Sequence, residues 1–160
     1  VMQQVYALTD AMYFGAVEAQ TAASELSALR ERAEKIQAQG QAAEALAAFV
    51  KKAAALEGQR PAAGAGGGRG GVGGGRGEVA APPATDSLWA VSALLAGHMN
   101  TMQAADVAPT ANTLAAVTAV LRTGDDVMAR WASIKSADLP ALNATLKAAG
   151  LPTIGGVPGR

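Results

Sequence analysis

The feature of this sequence that most restricts its fold is a stripe of small and apolar residues with helical spacing. In residues 1–39 these residues recur at alternating steps of three and four, the spacing of a helix face that packs on a partner helix. The stripe consists of Val5, Leu8, Met12, Gly15, Ala19, Ala22, Leu26, Leu29, Ala33 and Ile36. Its small central residues would let the partner approach closely. We therefore predict one long helix over residues 1–39, ended at Gly40.

Similar stripes predict further helices over residues 41–57, 87–105 and 110–135. Gly58 is expected to end the helix over 41–57, and Thr85-Asp86-Ser87 offers an N-terminal cap for the helix over 87–105. Ser136-Ala137-Asp138 is expected to stop the helix over 110–135 before a short last helix. The inward residues are Ala42, Leu46, Phe49, Ala53, Leu56, Leu88, Val91, Leu95, His98, Met102, Leu114, Val117, Leu121, Gly124, Met128, Trp131, Leu139, Leu142 and Leu146.

Four stripes of this kind are buried most simply in an all-α protein. We predict a four-helix up-down bundle made of two αα-hairpins, residues 1–57 and 85–150, with a short fifth C-terminal helix and a loose tail over 151–160. Composition agrees, because Ala supplies 40 of the 160 residues and aromatic residues only 4%. A β-sandwich or barrel would need more β-branched and aromatic residues.

Residues 58–84 differ from the rest of the chain. Between Gly64 and Gly77, ten of fourteen residues are Gly. Such a segment buries too little apolar surface to offset its ordering entropy, so we predict a flexible surface loop between the hairpins. Arg69 and Arg76 without aromatic neighbours make a poor RNA-binding tract. A phosphate-binding loop is excluded, because the run follows no strand and lacks a Lys-Ser/Thr ending.

Few residues could carry chemistry. Thirteen basic and thirteen acidic residues balance, which disfavours nucleic acid as a partner, and the chain has no Cys and one His. We interpret His98 as a core residue. Asp125 and Asp126 are interpreted as solvated, because neighbours on a helix point about 100° apart and would not share one site as a carboxylate dyad does. Trp89 and Trp131 are interpreted as core anchors, with an interface anchor at the bundle edge as the alternative for either. Asn143 is interpreted as a partner of nearby backbone, with ligand recognition as the alternative. No catalytic, metal or cofactor-binding residue is predicted.

A partner surface is predicted at the start of the first helix. At 1.5 Å per residue the first helix would reach about 58 Å and the second about 26 Å, which leaves one end of the first without cover. That part holds Tyr6, Met12, Tyr13 and Phe14. Because an exposed apolar patch usually marks an interaction site, we expect another protein to dock there.

The chain begins inside a helical pattern, without the basic and apolar segments of a signal peptide, so we expect it to be a piece of a longer protein. The stretch from Leu88 to Met102 is too short to span a bilayer.

Several short motifs resemble the helical C-terminal region of large bacterial exported β-propeller proteins of the sortilin-like, Asp-box (BNR) repeat type. These proteins are often labelled glycosyl hydrolases or sialidase-like. The motifs are Leu26, Leu29-Arg30, Leu56-Glu57-Gly58, Ala105-Asp106-Val107-Ala108-Pro109-Thr110, Arg130-Trp131, Asp138-Leu139-Pro140-Ala141-Leu142-Asn143, Leu146 and Gly150-Leu151-Pro152. The resemblance implies export to the periplasm, the cell surface or the medium. The propeller itself is absent from this chain, so no family catalytic residue carries over.

The sequence therefore predicts a non-catalytic helical module that packs on the rest of a larger exported protein or mediates its assembly. An independent adaptor or coiled-coil module that self-associates through the start of the first helix is the main alternative. A segment that supplies part of a glycoside hydrolase-like enzyme is a third.

Overall fold

The computed structural model describes residues 2–60, 85–104 and 109–155, and within them it contains helices and no strand. The predicted all-α bundle is confirmed. Its elements are α1 (Met2–Glu34), α2 (Gln41–Glu57), α3 (Leu88–Gln103), α4 (Ala111–Ser133), a π-helical turn (Ile134–Asp138) and α5 (Leu139–Ala148). Residues 61–84, which include the Gly-rich run from Gly64 to Gly77, residues 105–108 and residues 156–160 lie outside the described residues.

The first helix ends at Glu34, five residues before the predicted end. The Ile36 N–H donates to the Ala33 carbonyl at 3.2 Å, and the chain then leaves the helix. This exit turns Ile36 and Ala38 onto the core, where both are partly buried. Gly40 does not cap α1. It precedes α2 with a φ of 61°, a backbone conformation that favours glycine.

The stop predicted at 136–138 is replaced by continuous helical backbone. Asp138, at the end of the π-helical turn, has φ −68° and ψ −44°. Pro140 follows, lacks an N–H and would crowd the carbonyl four residues before it. A local π-turn widens the helix at this point and accommodates the proline. The α4 and α5 helices are therefore successive parts of one rod, the α4/α5 rod.

The α2 and α3 helices follow one another along α1, in what we call the α2/α3 rod. Gly58, at the end of α2, lies against Ser87, at the start of α3. Further along, a Cβ at Gly15 of α1 would lie 3.0 Å from Leu95 of α3. The contact between α1 and α3 is the most extensive in the bundle. The expectation that one end of the first helix lacks cover is therefore wrong, because α3 occupies that position.

The α4/α5 rod returns along both helices of the α2/α3 rod. The Arg130 guanidinium donates to the Asp86 carbonyl at 3.0 Å, beside the start of α3. Lys52 Nζ on α2 lies 2.6 Å from the Asp138 carboxylate at the start of α5. The bundle thus consists of three rods that pack against one another, and the α2/α3 rod is interrupted between Gly58 and Ser87.

The predicted stripes form the core. Every described stripe residue of α1 and α2 is buried or half-buried, including Leu26 at 0% exposure and Ala53 at 0%. On α4 the stripe is less regular, since Leu114 is 38% exposed. Trp89 and Trp131 are buried, as predicted. Ser87 is the N-cap of α3, where its hydroxyl accepts from the Ala90 N–H at 3.4 Å.

The segment after α5 is folded onto the bundle, so the predicted loose tail does not hold for residues 151–155. Asn143 Nδ2 donates to the Ile154 carbonyl at 2.8 Å, and the Ile154 N–H donates to Asn143 Oδ1 at 2.7 Å. Ile154 itself is buried. The predicted bond from Asn143 to nearby backbone is therefore present, and it fixes the segment.

We expect Asn143→Ala to lower the free energy of unfolding by about 1–3 kcal/mol. The substitution removes both hydrogen bonds and leaves the N–H and carbonyl of buried Ile154 without the Asn143 side chain. Urea unfolding measures this cost, and amide exchange at Ile154 should accelerate. Asn100→Ala, at an exposed position of α3, is the matched control and should stay within about 0.5 kcal/mol. Equal costs for the two variants would show that the Asn143 contact does not hold the segment.

Candidate partner-binding surface

Large apolar side chains lie exposed on the outer face of α1. Tyr6 is 67% exposed, Tyr13 52%, Phe14 61% and Val17 43%. We call these four residues the α1 aromatic patch. Three of the six aromatic residues in the chain belong to it, although burial of an aromatic side chain removes a large apolar area from water. A cluster of this kind is typical of a surface that another molecule covers.

Met12, which the sequence placed with Tyr6, Tyr13 and Phe14, does not belong to this surface. Its side chain is 0% exposed and lies in the core. The prediction assumed that nothing in the chain covers the start of α1, whereas α3 packs there. Met12 belongs to the inward stripe and the two tyrosines to the outward face of the same helix. The Met12 assignment is therefore wrong.

The patch has a defined internal geometry. The rings of Tyr13 and Phe14 meet edge to face, with centroids 5.5 Å apart and an angle of 73° between their planes. Edge-to-face contact is a favourable aromatic arrangement, and it restricts both rings. A partner that docks here would lose little side-chain entropy from these two residues.

An open groove of about 330 Å³ continues from the patch to α4. We call it the α1/α4 groove. Six of its lining residues are Phe14 and Glu18 from α1, Leu95 from α3, and Leu121, Asp125 and Met128 from α4. Because Phe14 borders both the patch and the groove, the two form one continuous surface. On the α1 side, Gly15 also lines the groove, and it contributes no side chain that would narrow it.

The charge around this surface is acidic. Asp10 and Glu18 lie one turn before and one turn after Phe14, and Asp125 lies on the α4 side of the groove. Within the described residues none of these three carboxylates takes part in an ion pair. From Met2 to Leu29, α1 carries acidic residues and no Lys or Arg.

The structure places the other residues considered from the sequence on α3 and α4. His98 is half-buried on α3, and Asp125 and Asp126 are both exposed. No group of three or more metal-ligand side chains occurs in the part of the chain that the structure describes. In the same part, no helix is both long and apolar enough to cross a bilayer.

One charged network is structural. Arg30 Nε donates to Glu57 at 2.8 Å, and Arg30 Nη1 donates to Glu34 at 2.7 Å. The bond to Glu57 is the main reason that the pKa of Arg30 is raised, with burial opposing it. Glu57 is buried, so this pairing satisfies a carboxylate that would otherwise be costly.

Val17 and the groove were not predicted. A signal for Val17 exists, because Tyr6, Asp10, Tyr13 and Val17 follow steps of four, three and four on the outer face of α1. The groove had no such signal, since it depends on which helix lies beside α1.

No protein-family model, curated protein or solved structure matches the chain.

Proposed function

We propose that this chain is a non-catalytic helical docking module that presents the α1 aromatic patch to another protein surface. That surface belongs to the rest of a larger parent protein or to a separate subunit. The observation that carries the proposal is the exposure of Tyr6, Tyr13 and Phe14 on the outer side of α1 in a chain with six aromatic residues. Aromatic residues are enriched where proteins dock, because they bury much area at low entropic cost.

The parent protein proposed from sequence is an exported β-propeller protein of the sortilin-like, BNR-repeat type. This part of the proposal rests on the short motifs alone, as does its location in the periplasm, at the cell surface or outside the cell. Reading the gene upstream of Val1 tests it directly. Propeller repeats there would support the proposed parent, and an upstream region without them would exclude it.

Photo-crosslinking tests the docking function. A benzophenone amino acid is placed at Phe14 of the natural full-length protein, in the cells that make it, and at exposed Lys51 on α2 as the matched control. We expect a discrete adduct from position 14 that position 51 does not give. Within a parent protein, the crosslink should join position 14 to a peptide outside this chain. No adduct at position 14, or the same products from both positions, would contradict the docking function.

A crosslink between two copies of this chain would instead favour the self-associating module. Tyr6→Ser and Phe14→Ser are suitable surface variants for this comparison because both side chains are mainly exposed. Substitutions at Met12 are unsuitable, since they would damage the core.

A further inference from the structure

We propose that the surface formed by the α1 aromatic patch and the α1/α4 groove binds an amphipathic helix with a basic polar face. This inference rests on the proposed docking function and names the chemistry of the partner. It combines the shape of the apolar surface with the sign of the charges around it.

The shape fits one helix face. From Tyr6 to Val17 the patch extends over twelve residues of α1, about 17 Å or three helical turns. Tyr6, Tyr13 and Val17 lie on one face of α1 at steps of seven and four, with Asp10 between the first two and Phe14 beside Tyr13. Beside them, Leu95, Leu121 and Met128 give the groove an apolar lining where an anchoring side chain can be buried. An amphipathic helix supplies such anchors at the same spacing.

The acidic residues around the surface favour a partner whose polar face is positively charged. Phe14 has Asp10 and Glu18 on its two sides, and Asp125 faces the same groove. The lining includes no Lys or Arg, and Arg122 of α4 is not part of it. A Lys or Arg next to an apolar anchor would gain both carboxylate contacts and the face of an exposed ring.

The same charges disfavour a second copy of the chain. An isologous pairing through α1 would bring Asp10 and Glu18 of one copy toward the same acidic residues of the other. Residues 2–29 contain no Lys or Arg that could offset this repulsion. Self-association through the patch would therefore lack charge complementarity.

Two fluorescent peptides of about 14 residues, long enough to cover the patch as a helix, provide the test. Both carry the same Leu stripe, and their polar faces consist of Lys in one and of Glu in the other. Fluorescence anisotropy with the full chain measures their binding. We expect the Lys peptide to bind at least about tenfold more tightly at ~20 mM salt, with the difference shrinking at ~500 mM salt because of screening.

Neutralised variants locate the interaction. Glu18→Gln with Asp125→Asn should weaken binding of the Lys peptide about three- to tenfold. The matched control, Glu25→Gln with Asp126→Asn, removes the same charge from positions that do not line the groove and should change binding less than about twofold. Phe14→Ser should weaken the Lys peptide at any salt concentration, and circular dichroism checks that it remains folded.

Three outcomes would overturn the inference: equal binding of the two peptides, equal effects of the two pairs of variants, or no effect of Phe14→Ser in a folded chain. A concentration-dependent dimer in sedimentation that is lost on Phe14→Ser would also overturn it, in favour of a second copy. If the photo-crosslink at position 14 forms but the chain binds the Lys and Glu peptides equally, the docking function stands. Only the inferred basic character of the partner is then wrong.

Discussion

Replacing Gly58 by alanine will destabilise the bundle by about 2–6 kcal/mol. Gly58 has φ 73° and ψ −168°, a region that only glycine adopts readily, so alanine would be strained by about 1–3 kcal/mol. The added methyl group would also overlap the hydroxyl and Cβ of Ser87, which is buried. Displacing Ser87 disturbs the N-cap of α3 and adds a cost typical of overpacking, about 1–3 kcal/mol. Chemical denaturation measures the change.

Gly40→Ala is the control for this variant. Gly40 also has a positive φ, 61°, but no atom lies within 4 Å of a Cβ built there. We therefore expect about 1–2 kcal/mol from backbone strain alone. A Gly58→Ala cost no larger than that of Gly40→Ala would mean that the junction between α2 and α3 is not closely packed.

Arg30→Met will be the second large change, with an expected loss of about 2–4 kcal/mol. Met retains apolar stem packing but removes the guanidinium that bonds Glu57 at 2.8 Å. Glu57 is 7% exposed, so its carboxylate would be left buried without this partner. Breaking a fully buried pair from one side costs about 3–5 kcal/mol, and partial exposure of Arg30 lowers the expectation.

Two further variants separate charge from packing. Arg32→Met, at an exposed position two residues away, should change stability by less than about 0.5 kcal/mol. Adding Glu57→Gln to Arg30→Met removes the stranded charge and should restore at least about 1 kcal/mol. If the second substitution restores nothing, the loss in Arg30→Met comes from packing rather than from the unpaired carboxylate.

The helices could be predicted from the sequence because each carries its own periodic signal. The bounds of α2, residues 41–57, agree with the structure since Gly40 and Gly58 flank a clear stripe. The end of α1 was placed too late because Ile36 continues the stripe in spacing, although it packs on the core from outside the helix. The stop before α5 was misplaced because Pro140 is accommodated by a π-turn rather than by a break.

The pairing of the helices was harder to predict than the helices themselves. Periodicity shows which face of a helix is apolar, but not which neighbour covers it. The same apolar stripes would be buried in a bundle of two αα-hairpins and in the observed arrangement, in which α2 and α3 form one interrupted rod. Met12 was assigned to the partner surface for this reason, since its exposure depended on where α3 lies. Tyr6, Tyr13 and Phe14 are exposed because they lie off the inward stripe.

The interruption of the α2/α3 rod offers a place at which the chain can be divided. Gly58 and Ser87 are neighbours in space although 28 residues separate them along the chain. The α2 and α3 helices are separate elements whose ends meet where Gly58 lies against Ser87, and both pack along α1. A polypeptide severed between them would give two fragments with complementary apolar faces. The connection between α2 and α3 is accordingly a natural place to sever the chain for split-protein reconstitution.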